Sequence, residues 1–395
     1  MDDGRGVIDR RVDRTGVIFR VAATNNNFCF VFHLFSFRSE MLESAHYSLM
    51  RLDMQIKRLA FGAVLSLLLV LAPLSTSAAG NTLDVVKKRG HVQCGVSQGL
   101  PGFSNPDDKG NWTGIDVDFC KAVAAAIFGN AGKVKFTPLS AKERFTAIQS
   151  GEVDIIARNT TWSMHRDTAL GVDFRAVNYY DGQGFMVRAD LGVTSSTELD
   201  GATLCTNQGT TTELNAADYF RANNMQYEIV AFEKADEAVA AYNSGRCDAY
   251  TTDHSALYAQ RLKLTDPQAH IVLPEIISKE PLGPAVRQGD NVWGDIVAWV
   301  HYATVAAEEL GVTSKNIASM GNSGNPSIKR LLGKDGTFGA NLGIPADWAF
   351  QAVKQVGNYG EIFERNVGIN TPLGIKRGYN ALWTDGGLQY APPIR

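Results

Sequence analysis

Two stretches of the chain, 94 residues apart, read alike, and this repeat limits the possible folds more than any other feature. Residues 143–161 are ERFTAIQSGEVDIIARNTT and residues 237–255 are EAVAAYNSGRCDAYTTDHS. Each reads as a short amphipathic helix, then Ser-Gly, then an apolar strand carrying Asp at the same place. Ser150, Gly151 and Asp154 match Ser244, Gly245 and Asp248. Glycine just past a helix is the usual left-handed stop, and VDIIA and CDAYT suit the interior of a parallel sheet. Each unit has a partner strand upstream. HVQCGVS precedes a helix beginning at Asp116, and ATLCTNQG precedes the helix TELNAADYFRAN. The expected fold class is α/β, with two Rossmann-like lobes built from strand–helix–strand pieces.

The remaining composition agrees. A chain of 395 residues, 45% hydrophobic and 20% charged, has room for two lobes. A formal charge of -3 gives no electrostatic footprint for nucleic acid. Residues 54–79, MQIKRLAFGAVLSLLLVLAPLSTSAA, have a basic start, an apolar run and small residues at Ser77 and Ala79, the pattern of a cleaved secretory signal peptide. Residues 1–53, which precede it without sustained periodicity, are expected to be an extension from a misassigned start codon. The lobes are expected at 80–182 and 183–283, with 284–395 returning to the first lobe and ending in a helical tail. Four cysteines remain after residue 80: Cys94, Cys120, Cys205 and Cys247. An even number in an exported chain allows two disulfides, with three possible pairings.

In α/β sheets ligands bind beyond the carboxyl ends of the strands. That rule brings residues 97–103, 159–166, 207–212 and 252–253 to a crevice, and the 94-residue shift sets Asp253 opposite Asn159. Thr210 and Glu213 have capping-box spacing, and Gly209 permits a tight turn. The N–H groups of Thr211 and Thr212 would be free at a helix start, which suits an anion. Thr161 adds a hydroxyl, and Arg166 a guanidinium able to grip carboxylate through two parallel bonds. Asp253 either caps the following helix or receives an ammonium ion across the crevice. Together these groups describe the two charged ends of an α-amino acid. Asp116 and Asp118, at the start of an Ala-rich helix, are expected to cap it and oppose its dipole. No zinc spacing, Walker loop or nucleophile elbow is present, so neither metal, cofactor nor catalytic residue is expected.

Gly114-Ile115-Asp116-Val117-Asp118-Phe119, followed by Val123-Ala124 and Ile127, resembles the sequence signature of the polar amino-acid-binding proteins of ABC importers, the type II periplasmic solute-binding family. The resemblance covers residues 81 to about 320. It implies two lobes joined by a two-strand hinge, with crossings near Asp181–Gln183 and Leu282–Ala285. It implies that Thr161, Arg166 and Thr211 hold a ligand carboxylate, and that Asp253 and Asn159 hold its amino group. At the family's specificity positions the chain carries Ser97, Leu100 and Asn207, where narrow binders of histidine and glutamine carry an acid, an aromatic ring and a further specificity residue. The long C-terminal segment resembles that of the general L-amino-acid-binding proteins. The implied function is capture of free L-amino acids by a periplasmic monomer that docks on ABC permease subunits, with broad specificity favouring polar and acidic side chains. An enzyme on the same fold, similar to cyclohexadienyl dehydratase, is the alternative; it needs an acid or base aimed at a substrate ring. The repeat makes the strands of Cys205 and Cys247 parallel neighbours, so these two are expected to be bonded, leaving Cys94 with Cys120.

Overall fold

The computed structural model describes residues 81–395, and the expected N-terminal extension and signal peptide lie outside them. Along the chain the strands are β1 (Val92–Val96), the short pair β2 (Asn105–Pro106) and β3 (Trp112–Thr113), β4 (Val134–Pro138), β5 (Ile155–Ile156), β6 (Val172–Phe174), β7 (Tyr179–Asp181), β8 (Gln183–Arg188), β9 (Ala202–Asn207), β10 (Tyr227–Phe232), β11 (Ala249–Asp253), β12 (His270–Val272), β13 (Glu280–Leu282) and β14 (Ala285–Arg287). They form two five-stranded sheets of matching design, ordered β4-β1-β5-β14-β6 and β10-β9-β11-β8-β12. In the first, β1 runs parallel to β4 and β5, and in the second β9 runs parallel to β10 and β11.

Each sheet also holds one reversed strand, which strand–helix–strand units alone do not predict. β14 lies antiparallel between β5 and β6, and β8 antiparallel between β11 and β12. The cause is the path of the chain between lobes. β7 and β13 pair antiparallel, Tyr179 opposite Leu282 and Asp181 opposite Glu280. Within a few residues β7 continues into β8 and β13 into β14, so each crossing strand enters the other lobe from its open end and runs against the strands already there.

The repeat has a physical basis at each of its matched positions. Asp154 accepts the Gln93 N–H at 2.7 Å, and its own N–H donates to the Gln93 carbonyl at 2.8 Å. Asp248 does the same to Thr203, at 2.8 and 2.9 Å. The repeated carboxylate therefore continues the ladder between two parallel strands where the backbone alone would leave an N–H unpaired. Gly151 and Gly245 take φ of +80° and +79°, the left-handed stop expected of them.

The helix Ile115–Phe128 begins differently from expectation. Its N-cap is Gly114, at φ +129°, and no side chain caps the helix. A Cβ there would lie 2.0 Å from the Phe103 carbonyl oxygen, so only glycine fits this close crossing. The two acids are used for tertiary contacts. Asp116 accepts the Asn159 N–H at 3.0 Å. Asp118 takes Arg365 Nε at 2.9 Å and Asn366 Nδ2 at 2.7 Å, tying the C-terminal helix Tyr359–Asn366 to the first lobe. The small residues Ala122, Ala125 and Ala126 are fully buried, and the apolar face of the tail helix Trp348–Val356 packs in the same core. The tail is thus a structural layer of the first lobe.

Both expected disulfides are present. Cys205 and Cys247 join β9 to the residue run just before β11, with Cα atoms 5.6 Å apart. Cys94 joins β1 to Cys120 of the overlying helix, at 6.4 Å. The first bond closes 42 residues and the second 26. Loop-closure entropy assigns each roughly 3.5–4 kcal/mol of stability. Replacing both members of either pair by serine should lower the unfolding free energy of the oxidised protein by that amount, and reducing agent should then cost the variant only the contribution of the one bond it keeps, against both in the wild type. A variant as stable as the oxidised wild type would show that the bond adds nothing.

Candidate functional site

The carboxyl ends of the parallel strands of both sheets face one cleft of about 500 Å³, counted out to its open mouth. All eight residues singled out from the sequence line it. Ser97, Leu100, Asn159, Thr161 and Arg166 come from the first lobe, and Asn207, Thr211 and Asp253 from the second. They meet because each follows the end of a strand in one of two sheets facing each other across the β7/β13 ribbon.

One wall is built for an anion. Arg166 sits on the short helix Met164–Ala169, whose N-cap Ser163 accepts the Arg166 N–H. Its Nη1 donates to the Thr161 carbonyl at 3.0 Å, and the guanidinium lies over the Phe145 ring at 5.3 Å. These two contacts hold the fork in place and leave its remaining donors for the cleft. Burial lowers the Arg166 pKa, while the charges of Glu280 and Asp253 oppose that shift. Facing it is the helix Thr211–Ala222. Thr210 caps it by accepting the Glu213 N–H at 3.3 Å, and Gly209, at φ +70°, makes the turn. Among the described residues the N–H groups of Thr211 and Thr212 have no protein acceptor, so the positive end of this helix is open to the cleft.

The opposite wall is acidic. Asp253 is the N-cap of the helix His254–Arg261, yet its side chain makes no cap bond. It accepts Asn159 Nδ2 from the other lobe at 3.1 Å, the contact anticipated by the 94-residue shift. Asn159 is one of two non-glycine residues with positive φ among those described, at +35°. Its N–H is held by Asp116 and its amide by Asp253, and these bonds from two sides sustain a backbone conformation that is otherwise unfavourable. Its Oδ1 is buried without a partner. Loss of water pushes the Asp253 carboxyl up to about 8, helped by the nearby charges of Asp181 and Glu280. Asp181 is likewise pushed up to about 6, chiefly by burial, although the hydroxyl of Ser255 and the N–H of Gly182 bond to it. Asp181 does not line the cleft.

Several residues in or beside the cleft were not evident from the sequence. Glu280, in the hinge strand β13, is almost fully buried and accepts four hydrogen bonds. Thr161 Oγ1 donates at 2.5 Å, Thr211 Oγ1 at 2.8 Å, Asn215 Nδ2 at 2.6 Å and Ser278 Oγ at 2.7 Å. The Thr161 hydroxyl proton is thereby committed to the hinge, and the Thr161 oxygen faces the cleft as an acceptor. Glu280 itself does not line the cleft, whereas Arg144, Arg158 and Gln260 do. The one hint in the sequence was a charged residue flanked by Lys279 and Pro281 inside a hinge strand. The Ser97 N–H donates to the Ser104 hydroxyl oxygen at 2.9 Å, Leu100 is buried, and Asn207 turns its amide to the Phe232 carbonyl at 3.3 Å. Among the described residues no cluster of metal-ligating side chains occurs, and no helix is long and apolar enough to cross a membrane.

Two lobes on a two-strand hinge, with a charged cleft between the carboxyl ends of their strands, define the type II periplasmic binding-protein fold. Residues 92–310 match the model of the bacterial extracellular solute-binding proteins, family 3, and the chain belongs to that family. It is 62% identical over 328 residues to the general L-amino acid-binding periplasmic protein AapJ of Rhizobium johnstonii, covering 82% of this chain and 96% of the relative. It is 54% identical over 320 residues to the glutamate/glutamine/aspartate/asparagine-binding protein BztA of Rhodobacter capsulatus, covering 81% and 95%. Among solved structures, an ABC transporter/periplasmic binding protein from Brucella ovis with glutathione bound is similar at a TM-score of 0.79 and 59% identity, over 80% of this chain and all of that one.

The buried carboxyl of Asp253 makes a pH prediction for the protein without ligand. Its folded pKa lies above its unfolded value, so between about pH 4 and 8 the folded state holds more protons than the unfolded state. This group therefore destabilises the fold increasingly as pH rises through that window, and Asp181 adds to the effect in its lower half. Asp253→Asn stays neutral throughout. Relative to wild type, the variant should gain roughly 2–4 kcal/mol between pH 5 and pH 8, read from denaturant unfolding. A difference that is flat with pH would mean that Asp253 ionises normally in the empty cleft.

Proposed function

We propose that the protein is the solute-binding component of an ABC importer, a periplasmic monomer that captures L-amino acids between its lobes and delivers them to a membrane permease. The observation that carries this reading is the pair of opposed walls. Arg166 and the open helix end at Thr211 and Thr212 suit an α-carboxylate. Asp253, with the Asn159 oxygen, suits an α-ammonium, and the Thr161 oxygen joins them instead of holding the carboxylate as expected from the sequence, because its hydroxyl proton is given to Glu280. The ligand bridges groups from both lobes and thereby stabilises the closed form, the form a permease can distinguish from the open one. Micromolar affinity needs about 8 kcal/mol, and a desolvated carboxylate fork with an ammonium–carboxylate pair can supply much of it.

The relatives support the reading. AapJ and BztA are described as binding amino acids. The Brucella ovis protein holds glutathione, whose γ-glutamyl end carries the same α-ammonium and α-carboxylate. The dehydratase-like alternative asks for a free acid or base against a substrate ring; in the binding reading Asp253, the cleft carboxyl with the highest pKa, is taken by the ammonium ion.

Calorimetric titration tests the grip. Arg166→Ala and Asp253→Ala each leave one end of the zwitterion buried without a partner, a loss of about 3–5 kcal/mol. Each variant should bind glutamate and glutamine more than a hundredfold more weakly while melting cooperatively, and wild-type affinity in either variant would refute the assignment. The groups at the α-carbon are common to all amino acids, whereas discrimination requires a matching or repelling group at the side chain. Dissociation constants for Glu, Gln, His, Arg, Leu and Ala should fall within about two decades, a spread of about 2.7 kcal/mol, with the polar and acidic ligands at the tight end. One ligand bound a thousandfold more tightly than all the others would contradict broad specificity.

A further inference from the structure

The cleft contains more cation than an amino-acid backbone can use. Arg144, Arg158 and Arg166 all line it, all are buried, and among the described residues no carboxylate comes within ion-pair distance of any of them. A guanidinium in such a place carries a desolvation cost that a counter-charge can relieve. In the amino-acid reading, the ligand α-carboxylate relieves Arg166. The anions in and beside the cleft relieve the other two only in part, at a distance and without an ion pair. Glu280 is occupied by four neutral donors, and Asp253 is set against the ammonium ion.

The geometry distinguishes between the two remaining arginines. Arg144 is turned inward. Its Nη1 donates to Thr160 Oγ1 at 3.0 Å and, at 3.4 Å, to the Arg158 carbonyl, and its Nε is enclosed without a partner. Arg158 sits at the end of β5, one residue before Asn159. Its Nε donates to the Leu139 carbonyl at 2.9 Å, which fixes the plane of the guanidinium. Among the described residues its two Nη groups have no protein acceptor, although the side chain is 8% exposed and borders the cleft. A planar, pre-oriented pair of N–H donors with no acceptor is the arrangement that a carboxylate fills with two parallel bonds. Arg158 remains a cation at neutral pH: burial lowers its pKa to about 10, and the charges of Asp116 and Asp253 limit the fall.

We propose that Arg158 is the side-chain recognition group of the cleft, a fork for a second carboxylate on the ligand, which makes dicarboxylic amino acids its best solutes and their amides the next best. The proposal rests on the amino-acid reading above. An amide oxygen accepts from the same donors without bringing charge, so glutamine loses the ionic part of the contact and keeps the hydrogen bonds. Ligands without a polar side chain are bound through the α-carbon groups alone. The uncharged Ser97, Leu100 and Asn207 neither add to this preference nor oppose it.

The test is a set of dissociation constants for L-glutamate, L-glutamine, L-norvaline and L-alanine, by calorimetry, on the wild type, Arg158→Met and Arg158→Lys. In the wild type, glutamate should bind at least tenfold more tightly than norvaline, which has nearly its shape and lacks the carboxylate. Arg158→Met should weaken glutamate by thirtyfold or more, glutamine by a fewfold and alanine by less than threefold. Arg158→Lys retains the charge and loses the fork, so glutamate should fall between the other two proteins. Equal losses for glutamate and alanine would overturn the proposal, as would norvaline matching glutamate on the wild type, a result that requires no variant to fold. If none of the four ligands binds the wild type, the amino-acid reading itself fails. If alanine binds and the glutamate-to-alanine ratio ignores Arg158, only the present proposal fails.

Discussion

The carboxylate of Glu280 is the contact on which the geometry of the cleft depends. It sits in the hinge strand β13, yet it binds Thr161 of the first lobe and Thr211 and Asn215 of the second. The lobes are tied at that point not by apolar packing but by a single buried charge with four donors. A buried carboxylate is tolerable only when its lone pairs are filled, and here they are. The same bonds orient the Thr161 and Thr211 hydroxyls, so the hinge decides which way the walls of the cleft present their oxygens. The β7/β13 ribbon beneath this point has three residues a side. A ribbon that short can bend while the sheets on either side stay rigid, which is the mechanical requirement for a protein that opens and closes on a solute.

The duplicated units supply the rigidity. Each lobe repeats a carboxylate that completes the strand ladder, a left-handed glycine that ends a helix, and a buried disulfide. The carboxylates and glycines are alike because they hold the frame, and the frame has the same task twice; the disulfides differ in what they join, strand to helix in the first lobe and strand to the run before β11 in the second. The lobes differ at the ends of their strands. Asn159 and Asp253 occupy equivalent places and bond to each other across the gap. A symmetric frame with asymmetric tips suits a ligand whose two ends carry opposite charge.

The charge distribution of the cleft follows from burial. Three guanidiniums and three carboxyls, Asp181, Asp253 and Glu280, lie in or beside the same small space, and the pKa values of Asp253 and Asp181 are driven upward chiefly by loss of water. Such a site is electrostatically frustrated until a ligand of the right charge pattern arrives. In the proposed binding reading, relief of that frustration adds to the new hydrogen bonds.

The sequence by itself determined the two lobes, the ends of their strands, the glycine stops and the even set of exported-type cysteines. All of these are local or periodic features, and residues just past a strand are carried to a sheet edge whatever the distant chain does. For this reason Ser97, Leu100, Asn159, Thr161, Arg166, Asn207, Thr211 and Asp253 could be placed around one crevice. Only the tertiary structure decided the use of Asp116 and Asp118. Local rules make them helix caps, but Gly114 starts the helix and the acids hold Asn159 and the C-terminal helix. It alone decided the role of Glu280, whose lobe partners lie 119, 69 and 65 residues away. It alone decided the direction of Arg158, which is set by the Leu139 carbonyl on a neighbouring segment. A side chain's surroundings depend on which distant backbone reaches it first, and no spacing along the chain records that.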